Sequence, residues 1–299
     1  MASVGELTAS PSPGSRAEAT AVPSFPAVTP TVIRPASGWV PLNLRELWEY
    51  REILYFFVWR DVKVRYKQTV LGIAWAVIQP VFMMIVFSLF FGQLAKIATH
   101  GIPYPLFVYC GLLPWQLFAH GLGEASNSLV ANERLLTKVF FPRLAVPLGA
   151  VATVLIDFLI AFSVLVGLMF YYGAVPGVRV LALPLFVLLA LATALGAGLW
   201  LSALNVQYRD VRYTLGFLTQ LWFFATPVAY ASTVVPEAWR PLYGLNPMTA
   251  VVEGFRWALL PDAPAPGPML WVSIAMVAAL IAGGLYYFAR MEQWFADLV

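Results

Sequence analysis

The chain has 299 residues, of which 61% are hydrophobic and only 11% charged, with a net charge of +3. Soluble domains carry about 25% charged and about 45–50% apolar residues, so this composition excludes a water-soluble fold and points to an integral membrane protein. The lone cysteine, Cys110, excludes an intrachain disulfide, and the two histidines, His100 and His120, stand too far from any acid or thiol cluster to suggest a metal centre. The basic residues lie along segment boundaries rather than on one soluble face, which argues against nucleic-acid binding.

Residues 1–38 are rich in Pro, Ala, Ser and Thr and carry few large apolar side chains, so they are expected to form a disordered cytoplasmic tail. No apolar stretch of signal-peptide type precedes residue 42. Over 42–67, Leu44, Leu47, Trp48, Leu54, Tyr55, Val58 and Val62 recur near helical spacing, with Glu46, Glu49, Glu52, Arg60, Lys63 and Lys67 mostly opposite. The pattern predicts an amphipathic helix lying in the membrane interface. Arg60, Lys63, Arg65 and Lys67 then run into an uncharged stretch, a junction that holds the start of a chain in the cytoplasm.

Nearly uncharged runs long enough to cross a bilayer are expected at 70–95, 103–125, 144–172, 180–206, 213–233 and 269–289. With the start inside, 14 of the 18 Lys and Arg fall in cytoplasmic segments and 4 outside, so both termini are expected to be cytoplasmic. Between the second and third runs, residues 132–143 (NERLLTKVFFPR) are charged at both ends. Leu135, Leu136, Val139 and Phe140 give this segment an apolar side that suits docking to a partner protein. The connection from Ser232 to Pro268 holds Trp239, Tyr243, Phe255 and Trp257 in two pieces, roughly 236–243 and 248–259, too short to span. They are expected at the outer surface or dipping back into the membrane.

No G-x-x-x-x-G-K-[ST] loop, G-x-S-x-G, H-E-x-x-H or acid cluster occurs. This argues against catalysis, assigns no catalytic residue, and leaves the chain without a nucleotide cradle of its own. Asp157 is the only charge in the third run. Without an intramembrane Arg or Lys partner, it reads as a structural group hydrogen-bonded to a neighbouring helix. Glu253 and Arg256, at i and i+3, read as a local ion pair. Ala194, Gly196 and Gly198 permit close helix packing. The basic cluster sets topology, and Arg60, Arg65 and Lys67 can also form charge-assisted bonds to a lipid diphosphate. Trp75, Phe82, Trp115, Phe118, Trp222, Phe223 and Tyr230 offer ring faces on which sugars pack, although the same rings serve equally as packed or lipid-facing aromatics.

Motifs in series carry a resemblance. They are Arg60-Asp61, Arg65-Tyr66-Lys67, Leu71-Gly72, Trp75 and Gln79-Pro80, then Leu113-Pro114-Trp115, Phe118 and Ser126-Asn127. Lys138-Val139-Phe140-Phe141-Pro142-Arg143, Asn205, Arg209-Asp210, Thr226-Pro227-Val228, Tyr230, Asn246-Pro247 and Gly254-Phe255-Arg256 follow. Over residues 42–290 the chain resembles the membrane permease subunit of ABC-2-type polysaccharide exporters, which serve O-antigen (lipopolysaccharide), capsule, teichoic acid and galactan export. The resemblance implies an all-α, six-span permease domain at 70–290 in the bacterial inner membrane. It also implies a homodimer joined by two copies of a separate subunit that binds ATP and Mg, no cofactor being held by this chain. Residues 132–143 would be the coupling helix, with Glu133, Leu135, Leu136, Lys138 and Phe140 seated in that subunit. The segment 236–259, with Trp239, Tyr243, Phe255 and Arg256, would be the outer gate. The substrate would be a polyprenyl-diphosphate-linked glycan entering beside the interfacial helix. Two alternatives are an ABC-2 exporter of a small amphiphile or drug, and a membrane glycosyl- or acyltransferase.

Overall fold

The apolar runs fold as helices, which satisfy their backbone polar groups internally where no water can. The computed structural model describes residues 48–67, 70–95, 97, 99, 101–139, 141–208, 210–236, 239–292 and 295. Helix α1 spans Arg51–Lys67 and α2 Val70–Phe87, the latter prolonged by a π-helical turn, Ser88–Leu94. Then come α3 (Tyr104–Ala131), α4 (Glu133–Lys138), α5 (Ala145–Tyr172), α6 (Leu183–Gln207), α7 (Val211–Phe224), α8 (Arg240–Gly244), α9 (Pro247–Leu259) and α10 (Met269–Glu292). The expected tail at 1–38, the first residues of the interfacial helix (42–47), and Lys96, His100, Phe140 and Arg209 lie outside the described residues.

Among the described residues, four stretches are long and apolar enough to cross a membrane: Ala74–Leu94, Ala145–Tyr172, Val178–Gln207 and Met269–Glu292. They correspond to the first, third, fourth and sixth runs. The second run is also a long helix. α3 has 28 residues, about 42 Å at the usual rise, but Gln116, His120, Glu124 and Asn127 dilute its hydropathy. The fifth run differs more. α7 has 14 residues, about 21 Å, well short of a bilayer's ~30 Å core. Pro227 disfavours helix in the residue before it and offers no amide of its own.

α3 forms the centre of the bundle, with 18 of its residues buried. Close approach to α6 depends on small residues: a Cβ on Gly198 would lie 2.5 Å from the Ala125 Cβ, and one on Gly121 would lie 3.1 Å from the Ala194 Cβ. Gly196 similarly admits the α10 backbone, with Ile281 N at 2.9 Å from the missing Cβ. Such small-residue contacts suit membrane helices, which associate by packing rather than by water exclusion. A second core gathers Phe57 of α1, Leu129, Leu136 of α4, Phe141, Val206, Phe288 and Phe295.

The observed α1 is apolar on more than one side. Phe57 is buried against the Phe141 ring at 5.5 Å, whereas Tyr55, Phe56, Trp59 and Val64 are exposed. One apolar face thus packs on α5 and the second core, and another is left for the surroundings. Arg60 covers the Phe57 ring and Lys63 the Trp59 ring, at 5.1 and 4.3 Å.

Candidate functional site

Within α3, burial is interrupted along one line. Gln116, Ala119, His120, Gly123, Glu124 and Asn127 are all exposed or half-buried, at the i, i+3, i+4 spacing that puts them on one helical face. Facing this stripe is a groove made of two cavities, of about 270 and about 680 Å³, which share Trp75, Gln79, Gln116 and His120. The larger is walled by Phe82 and Phe87 of α2, Trp115 of α3, and Phe223 and Phe224 of α7, with Thr219 and Gln220 adding polar groups. None of its lining residues is an Asp, Glu, Lys or Arg. Pro80 removes the amide that would bond the Ala76 carbonyl, and both residues line the smaller cavity.

The smaller cavity ends in a charged cluster. Arg65 donates one guanidinium nitrogen to Asp157 of α5 and the other to Glu124 of α3, and the Tyr66 hydroxyl donates to the second Asp157 oxygen. Burial and the bond to Asp157 push the Tyr66 phenol well above its ordinary pKa, so it remains a donor at neutral pH. Arg60 donates instead to Asp61 at 2.8 Å and to Asn132 Oδ1 at 2.7 Å, next to α4. Asp157, for which the apolar runs hold no basic partner, is bonded to a neighbouring helix through a basic residue from outside those runs. Its partner is Arg65, 92 positions earlier, on a helix outside the apolar runs where a partner was sought.

The aromatic residues divide into two groups. Trp75, Phe82, Trp115 and Phe223 line the groove. Phe118, Trp222 and Tyr230 do not. Phe118 is fully buried with its ring centroid 4.8 Å from that of Trp222. Trp222 Nε1 donates to Asn246 Oδ1 at 2.8 Å, and the Tyr230 hydroxyl bonds the Phe224 carbonyl and the Tyr243 hydroxyl. These three brace the turn after α7 rather than face open space.

That turn is tied to the segment expected to form the gate. Asn246 caps α9 by accepting from Met248 N at 3.0 Å, and its amide donates to Ala225 O and Thr226 Oγ1. α9 then enters the core with 11 of its 13 residues buried. Trp239 is exposed, Tyr243 half-buried, and Phe255 and Arg256 are inside. The expected Glu253–Arg256 ion pair is corrected. Arg256 donates to the carbonyls of Phe107, Pro227, Val228 and Tyr230, at 3.2, 2.7, 2.5 and 3.5 Å. Its guanidinium carbon lies 3.6 Å from the Phe107 ring centroid. Folding α9 inward carries Arg256 past its helical neighbour and onto backbone oxygens exposed by the Pro227 turn.

α4 also presents itself differently from the expectation. Leu136 is buried in the second core and Leu135 is half-buried, so these two pack inward. The outward surface is Glu133, Arg134, Thr137, Lys138 and Val139. Leu136 fills space between Phe57, Leu129 and Phe141, and burying it there costs less than leaving it in water. Sequence reasoning missed Gln79, Gln116, His120, Thr219 and Gln220 as groove residues. The signal was present in α3, where polar residues recur at 116, 120 and 124 in an otherwise apolar helix.

The sequence profile of the ABC-2 type transporter family matches residues 53–260. The chain belongs to the ABC-2 type transporter family. Among ABC-2 relatives, the O-antigen export system permease protein RfbA of Myxococcus xanthus is 34% identical over 258 residues, covering 84% of this chain and 97% of the relative. The protein of that name from Klebsiella pneumoniae is 28% identical, covering 83% and 95%. The polysialic acid transport protein KpsM of Escherichia coli is 23% identical, covering 78% and 91%. The helical, multi-pass architecture is that of an ABC-2 membrane subunit.

Proposed function

We propose that this chain is the permease subunit of an ATP-driven exporter that moves a lipid-linked polysaccharide across the bacterial inner membrane. The observation that carries this is the larger cavity of the groove, free of charged lining, where Trp75, Phe82, Trp115 and Phe223 face the amides of Gln79, Gln116 and Gln220. Sugar rings present C–H faces to aromatics and hydroxyls to amides, so this lining fits a sliding glycan better than an ion or a purely apolar cargo. The names of the RfbA and KpsM relatives support the same substrate class.

In this reading the chain crosses the membrane six times, α3 and the α7 region completing the four long apolar helices, with both ends in the cytoplasm. Two copies pair and recruit two ATP-binding subunits, which hold ATP and Mg and do the hydrolysis. The outward face of α4 meets those subunits, α8–α9 forms the outer gate, and the glycan's lipid diphosphate enters beside Arg60, Arg65 and Lys67.

Deleting the chain in its native host should remove surface polysaccharide and leave lipid-linked glycan on the cytoplasmic side. Trp75→Ala with Phe82→Ala should slow export of long chains at normal protein level. Surface polysaccharide that persists in the deletion strain would sink the proposal.

A further inference from the structure

Arg65 is held by two carboxylates from two different helices, at the mouth of the smaller cavity. Its side chain is 29% exposed, that of Asp157 19% and that of Glu124 47%, so the cluster is not sealed inside the protein. A guanidinium presents a planar fork of donors that fits a carboxylate or a phosphate equally well. Here that fork is already occupied, although it borders the polar stripe of α3 and the open space beside Trp75. Arg60 differs, since its partners are Asp61 and Asn132 and it does not line the cavity.

We propose that Arg65 binds the diphosphate of a lipid carrier, and that Asp157 and Glu124 are resident competitors which the diphosphate displaces. This rests on the lipid-linked reading above and deepens it. A diphosphate offers more acceptor oxygens and more charge than either acid, so it can replace both on one fork. Tyr66 retains Asp157 when Arg65 leaves it, which keeps the displaced carboxylate bonded. The exposed Tyr55 and Val64 of α1 and the exposed Trp75 beside the cavity supply the apolar setting for the carrier's chain. Because Arg65 ties α1 to both α3 and α5, its exchange of partners frees α1 from Glu124 of α3, while the Tyr66 bond still holds α1 to α5.

The test is equilibrium binding to the purified full chain in lipid nanodiscs. The probes are a polyprenyl diphosphate, the matching monophosphate and inorganic pyrophosphate. Removing a competitor should strengthen binding, so Asp157→Asn and Glu124→Gln should each bind the polyprenyl diphosphate about five- to tenfold more tightly than wild type. Arg65→Ala should lose binding at least tenfold. A merely structural role for the acids predicts unchanged or weaker binding in both variants, and that result overturns the competition while leaving the lipid-linked reading standing. The two acid variants are independent, so misfolding of one leaves the other decisive. Equal affinity for the monophosphate overturns the assignment of a diphosphate, and equal affinity for pyrophosphate overturns that of a lipid. No binding by wild type or either acid variant overturns both the competition and the lipid-linked reading.

Discussion

Arg256 gives its guanidinium to backbone oxygens from two parts of the chain, Phe107 and the Pro227–Tyr230 turn, and the geometry leaves little slack. A Cβ on Gly111 would come 2.6 Å from its Nη2, so Gly111→Ala must displace the cation. Arg256→Met should cost about 3 kcal/mol or more, because buried carbonyls lose charge-assisted donors and none replaces them. Thermal unfolding in detergent reads this as a clear fall in Tm; an unchanged Tm would show that water satisfies the carbonyls instead. Gly254→Ala should be as damaging, its Cβ falling 2.0 Å from the Phe186 ring. None of this was legible from Glu253 and Arg256 alone. Their i, i+3 spacing is a local signal, whereas the Phe107 carbonyl that Arg256 meets is 149 positions away. The same holds for Asp157, whose partner no local pattern reveals.

Among the elements, the long apolar helices are the part the sequence declares most openly, since length and hydropathy suffice to find them. α4 was legible as a helix but not in its orientation, because an apolar side can serve a partner or the chain's own core. The two roles separate by mutation. Leu136→Ala should destabilise the fold by about 2–3 kcal/mol, as buried Leu truncations do. Arg134→Glu with Lys138→Glu should leave Tm unchanged and abolish co-purification of the ATP-binding subunit. Retained co-purification would move the docking surface off α4. The join between α7 and α9 rests on one amide. Asn246→Ala removes a helix cap and the bonds to Trp222, Ala225 and Thr226, a loss of about 2 kcal/mol. Chemical denaturation of the purified chain followed by tryptophan fluorescence measures it. The Thr226-Pro227 and Asn246-Pro247 motifs were visible in the sequence. Their meeting was not, because it depends on how the turn after α7 folds back.

For the whole molecule, the groove's wall was half legible. Aromatic residues attract notice, but four of the seven named line open space and three brace a turn. The amides opposite went unnoticed because single glutamines in apolar runs carry no pattern until the helix face is drawn. The six crossings proposed above make a sidedness prediction. In a Cys110→Ser background, a cysteine at Thr137 should react with an impermeant thiol reagent only from the cytoplasmic side, and one at Asp262 only from the outside. Labelling of both from one side would overturn the topology. The Arg65 cluster bears on the order of synthesis as well. Asp157 is made 92 residues after Arg65, so the basic charge is unneutralised by it while the first helices are being inserted. The residue can thus act as an orientation signal for the translocation machinery early on. Its counter-charges arrive in turn, Glu124 with α3 and then Asp157 with α5, so one arginine serves first the biogenesis of the chain and then its folded form.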